Sequence, residues 1–134
     1  MRCIALFVAL LASACSRATT DQREAYCAVF RSEVPARAAV KKALLRENRH
    51  LFVFHEYESY LELEIDKTTL RAAMTLLGKG FEPLDATAYG FGSAPPWFAP
   101  RDGSSYRGWR STDDSMTIIR SSNTKRVFAL RSEL

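Results

Sequence analysis

Polar and apolar positions alternate most cleanly over Tyr57–Asp66, where Tyr57, Ser59, Leu61, Leu63 and Ile65 interleave with Glu58, Tyr60, Glu62, Glu64 and Asp66. A period of two sends successive side chains to opposite faces, which predicts a strand with one face buried and one solvated. Phe52, Val53 and Phe54 are β-prone and either prolong this strand or form a bulged partner to it. Alternation returns over Tyr106–Arg110, Ser115–Arg120 and Arg126–Arg131, and Ser121-Ser122-Asn123-Thr124 suits a turn between the last two. An antiparallel hairpin or three-stranded meander is therefore expected to close the fold.

A different spacing, three and four, relates Leu70, Ala73, Met74 and Leu77, with Asp66 placed to cap the first turn and Gly78 and Gly80 to stop the last. This predicts a helix over about 67–79 whose apolar stripe lies on the sheet. Ala36, Ala39, Val40, Ala43 and Leu44 also share one helical face, and their neighbours favour helix, so 36–46 reads as helix. Before it, Cys27, Val29 and Phe30 mark a short leading element that ends at Pro35, while Gly90, Gly92, Pro95, Pro96 and Pro100 break up 81–101. The expected class is α+β: an antiparallel sheet of four to five strands packed by one main helix, with a long Pro/Gly-rich aromatic loop.

The first residues carry an address. MRCIALFVALLASAC has one cation, Arg2, an apolar stretch, and small residues up to Cys15, the pattern of a secretory signal peptide. The stretch is too short for a span, which takes about 20 apolar residues. Leu11-Ala12-Ser13-Ala14-Cys15 resembles a bacterial lipobox, with the usual Leu one place early, and this resemblance implies cleavage before Cys15 and a lipid on its sulfur. Ala12-Ser13-Ala14 equally suits ordinary signal peptidase, which would release a soluble periplasmic or secreted chain. The parts expected are a signal peptide over 1–14, a lipidated N-terminus and polar tether over 15–25, and one globular domain over 26–134. Ser16 after the cysteine, rather than Asp, points to the outer membrane, with the domain facing the periplasm.

Composition narrows the function classes. The 134 residues are 47% hydrophobic and 25% charged, which suits one globular domain, and a net charge of +4 falls short of a nucleic-acid-binding excess. Cys3 leaves with the signal; Cys27 is expected as a small buried apolar residue, or as the partner of Cys15 in a disulfide where Cys15 carries no lipid. No paired-cysteine, HExxH, nucleophile-elbow or phosphate-loop pattern occurs, and His50 and His55 near Glu56 lack a metal-ligand spacing. No catalytic residue, metal or cofactor is therefore expected, and the protein is not expected to be an enzyme. The carboxylates of the alternating strand read as a solvated face that discourages edge pairing. Arg107, Arg110, Arg120, Lys125, Arg126 and Arg131 form a basic group suited to pairing with that face, or to anionic envelope polymers and headgroups.

The motif that stands out is Ala94-Pro95-Pro96-Trp97-Phe98-Ala99-Pro100, followed by Tyr106 and Trp109. Prolines make a stiff frame for large rings, which either plug the end of the core or meet a partner or ligand. Together with Val34-Pro35-Ala36, Tyr60-Leu61-Glu62-Leu63-Glu64 and Gly80-Phe81-Glu82-Pro83, this motif resembles a loose group of small bacterial lipoproteins of unassigned function whose usual motif is PPWW. Phe98 replaces the second Trp. The resemblance implies that the stretch after Pro35 is a strand, against the helix read from its spacing. The expected function is a non-catalytic, membrane-anchored envelope lipoprotein that binds an envelope protein or a ligand through Trp97, Phe98, Tyr106 and Trp109. The alternative is an inhibitor or immunity-type protein whose acidic strand face neutralises a toxin or lytic enzyme at the membrane.

Overall fold

The computed structural model describes residues 16–50, 54–86, 93–98, 100 and 105–133, without the side chains of residues 49, 50, 54 and 55. Seven strands form one antiparallel sheet: β1 (Ser16–Thr19), β2 (Ala39–His50), β3 (Phe54–Glu64), β4 (Phe81–Leu84), β5 (Tyr106–Ser111), β6 (Met116–Ser121) and β7 (Arg126–Glu133), in the order β1-β2-β3-β7-β6-β5-β4. Two short helices join them, α1 (Gln22–Phe30) and α2 (Lys67–Leu76). The expected sheet of four to five strands under one main helix is thus corrected to a mostly β fold of seven strands and two helices.

Three misread segments account for the difference. Residues 36–46 belong largely to β2, which pairs with β3 from Ala39↔Glu64 to His50↔Phe54, with an irregularity between Val40 and Lys42. The polar tether is in fact folded: Ser16–Thr19 pairs with Leu45–Asn48, and Asp21 caps α1 by accepting from the Glu24 amide at 2.8 Å. Within the broken region, Phe81–Leu84 pairs with Gly108–Ser111 as an edge strand. Residues 51–53, expected to be β-prone, lie outside the described residues.

The helix that covers the sheet is α1, not α2. Ala25, Tyr26, Val29 and Phe30 make a fully buried stripe against Leu61, Leu63, Val127 and Ala129, whereas α2 adds Leu70 and Ala73 at the margin of the same core. Burial pushes the Tyr26 hydroxyl, which has no hydrogen-bond partner among the described residues, up to about 12. Arg131 lies under α1 and is only 4% exposed. Its Nη1 donates to the Val29 carbonyl at 3.0 Å and its Nε to Glu133 at 2.8 Å. Arg31 ends the helix in the left-handed region, at φ 56°, and its guanidinium donates to the Tyr57 hydroxyl and to Glu133. Those bonds give a reason for a non-glycine residue in a conformation that favours glycine.

The opposite sheet face has its own smaller core of Tyr60, Ala86, Phe98, Ile119 and Phe128. The acidic face is thus solvated only in part: Tyr60 is 2% and Glu62 7% exposed beneath the covering side chains, whereas Glu64 and much of Glu58 stay open to solvent. Cys27 is likewise corrected: it lies on the outer side of α1, exposed and free.

Candidate functional site

The aromatic loop lies on the smaller core. A turn closed by the Phe98 amide donating to the Pro95 carbonyl at 2.9 Å drives the Phe98 ring into the sheet. There it meets Tyr60 and Phe128 edge to face, with centroids 5.2 and 5.6 Å away. Arg46 ties the loop down, donating from Nη1 to the Ser93 carbonyl at 2.8 Å while its guanidinium lies 5.8 Å from the Tyr60 ring centre. Trp97 stays half-buried, edge to face on Phe98 at 6.1 Å. Tyr106, also half-buried, lies 6.2 Å from Phe128.

The four aromatic residues do not form one site. Trp97, Phe98 and Tyr106 gather around Phe128, but Phe98 is 1% exposed and can touch nothing outside the fold. Trp109, three residues along β5 from Tyr106, faces the helix side of the sheet. Only Trp97 and Tyr106 of this group are both together and partly open.

The charged side chains pair across strands. Glu58 meets Arg46 at 3.8 Å, Glu64 meets Lys41 at 3.4 Å, and one oxygen of Glu62 takes both Nε and Nη2 of Arg126 at 2.8 Å. The other Glu62 oxygen, Oε2, is buried without a hydrogen-bond partner. The basic group is dispersed too: Arg131 is buried, Arg110 pairs with Asp114 at 3.2 Å, and Arg126 holds Glu62. Among the described residues no three His, Cys, Asp or Glu side chains come together to hold a metal, and no helix is long and apolar enough to cross a membrane. Cys15, Gly90, Gly92 and the side chains of His50 and His55 lie outside the described residues.

A second feature occupies the seam between α2 and the β4-β5-β6 end of the sheet. A cavity of about 280 Å³ is floored by Leu70, Met74, Phe81 and Trp109 and rimmed by Lys67, Arg71, Lys79 and Arg120. Lys67, Leu70, Arg71 and Met74 reach it together because steps of three and four return to one helix face. Arg120 follows Met116 and Ile118 at steps of two, so it emerges on the same side of the sheet, 5.2 Å over the Trp109 ring. Its Nε is buried without a hydrogen-bond partner. Burial lowers its pKa from the usual arginine value, and the charges of Arg107 and Arg71 add to this. Lys79 is already committed, to Asp113 and to the Ser115 hydroxyl, and that lysine together with the Ser111 and Ser115 hydroxyls holds the Asp113 carboxyl well below the usual range.

Of this cavity the sequence offered Trp109 and Arg120 as functional candidates, assigned to the aromatic loop and the basic group, and Leu70 and Met74 only as the apolar stripe of a helix. The available signal was phase: Arg120 continues an apolar face, and two cations four apart, Lys67 and Arg71, flank an apolar pair on one helix. No protein-family model matches the chain, and no curated protein or solved structure matches it either.

Proposed function

We propose that the protein is a non-catalytic lipoprotein of the bacterial envelope, anchored through Cys15, that binds a partner through the Trp97 ring. The observation that carries the binding surface is the loop geometry. A fully buried Phe98 and the Arg46 to Ser93 bond fix the backbone on either side of a half-exposed tryptophan, beside Tyr106. A large ring held in place before contact loses little entropy on binding, which is why such residues dominate interface energetics. The inhibitor reading needs a free acidic face, and Glu58, Glu62 and Glu64 are each matched by a cation of a neighbouring strand, which favours the Trp97 reading over it.

Two measurements test the reading. Intact mass of the chain recovered from membranes, beside Cys15→Ser, is expected to give a diacylglycerol-modified species and a soluble variant; an unmodified chain in the soluble fraction removes the anchor. A photo-crosslinker at Pro96 is expected to trap a discrete envelope protein in the parent and not in a Trp97→Ala derivative with the same melting profile. Undiminished trapping in that derivative removes Trp97 from the interface.

A further inference from the structure

We infer that the cavity between α2 and β4-β5-β6 is a binding site for a small amphipathic anion, an acidic head group on an apolar body. The apolar body fits the floor of Leu70, Met74, Phe81 and Trp109, and the head group fits the cationic rim. Among the described residues, Lys67, Arg71 and Arg120 have no carboxylate partner, whereas Lys79 has Asp113. Lys67 and Arg71 are exposed and Arg120 half-buried, so the three charges leave a positive potential around one apolar concavity that an arriving counter-charge would relieve. Arg120 supplies the most specific element: its guanidinium lies 5.2 Å over the Trp109 ring with no acceptor on the buried Nε, and a turn of the side chain toward the cavity would let an acceptor oxygen form a charge-assisted hydrogen bond. A volume of about 280 Å³ suits a small ligand, near the lower end of the roughly 300–1,000 Å³ usual for small-molecule sites.

Other concavities and clusters offer less. In the cleft at Lys41, Glu64, Lys125 and Arg126, all of these charged residues but Lys125 are already paired with one another or with Glu62. The site lies on the helix side of the sheet and is independent of the Trp97 surface.

The chain has two tryptophans, Trp97 and Trp109, so Trp97→Phe leaves Trp109 as the sole reporter at the cavity. In that background the emission of Trp109 is followed against octanoate, with octanol and inorganic phosphate as the apolar and charged halves alone. Vesicles of phosphatidylglycerol, against vesicles of phosphatidylcholine, ask whether the same chemistry is taken from a bilayer. The expected result is a saturable change with octanoate or with the anionic vesicles, weakened tenfold or more by Arg120→Gln and by Arg71→Gln, and shared by neither half-ligand. Whichever of the two produces it identifies the source. A response to octanol equal to that of octanoate, indifference to both substitutions in variants that melt like the parent, or no response to either anionic probe overturns the site.

Discussion

Tyr26 is the residue whose environment reaches furthest into solution behaviour. Its ring stacks on Phe30 at 4.8 Å inside the larger core, and burial holds its hydroxyl neutral up to about 12. In the unfolded chain a tyrosine ionises near pH 10, so the folded state binds the proton more tightly. The stability from this difference is complete below about pH 10 and is lost as pH rises through about 12. Tyr26→Phe is expected to flatten the alkaline fall of the melting temperature, measured by circular dichroism from pH 9 upward. An unchanged alkaline limb would place the titration elsewhere. Phe98 makes the opposite kind of contribution, purely apolar. Phe98→Ala empties a site enclosed by Tyr60, Phe128 and Trp97, at a cost of about 3–5 kcal/mol. A loss under 1 kcal/mol in denaturant unfolding would mean that the loop is not seated there.

At the level of elements, close approach matters as much as apolar area. A side chain on Gly108 would place its Cβ 2.9 Å from the Leu84 carbonyl oxygen, closer than such atoms pack, with Leu84 Cβ at 3.4 Å behind it. Gly108→Ala is therefore expected to push β4 away from β5 and to cost about 1–3 kcal/mol. Amide exchange of Phe81–Leu84 should rise well before that of β7, and equal protection in parent and variant would count against the packing. The same edge shows why pattern reading stops where it does. Pro83 argues against a strand by propensity, yet an edge strand tolerates a residue without an amide proton. β2 hides for another reason. Ala43 and Leu45 face one core while Leu44 packs on the other, so apolar residues adjoin instead of alternating, and Ala, Lys, Leu and Arg favour helix until pairing with β3 overrides them. β3 and α2 were legible from a regular period of two and of three to four, whereas β6 and β7, buried on both faces, were legible as β-prone runs bounded by turn residues. The aromatic site was half legible: the odd spacing of Tyr106 and Trp109 already requires opposite faces in a strand. Which ring of Trp97-Phe98 turns inward depends on a turn that residue type does not specify.

For the whole molecule, two apolar layers enclose one sheet, α1 and α2 on one side and the aromatic loop on the other, and Cys27 lies on the outer side of α1. Cys27 is exposed on α1 and free among the described residues, so native protein should react with a thiol reagent at this position at a rate close to that of the unfolded chain. Protection comparable to a core cysteine, lost only in denaturant, would contradict the helix orientation. In membrane-derived protein the same titration complements the mass measurement, since a lipid on Cys15 leaves Cys27 as the sole thiol and a Cys15–Cys27 disulfide leaves none.

The edge strand β1 begins at Ser16, the residue after the proposed attachment point. On that proposal the leash between bilayer and fold is about one residue, some 3.3 Å, and the domain stands on the membrane by its β1 edge instead of roaming above it. Seven strands at about 4.8 Å apart set the far edge, β4, on the order of 29 Å away across the sheet. The anion cavity, beside β4, β5 and β6, then lies about 20 Å or more across the sheet from the β1 edge. Such a stance would favour molecules diffusing through the surrounding fluid over lipids of the leaflet beneath as the source of the anion, the alternative that the vesicle comparison decides.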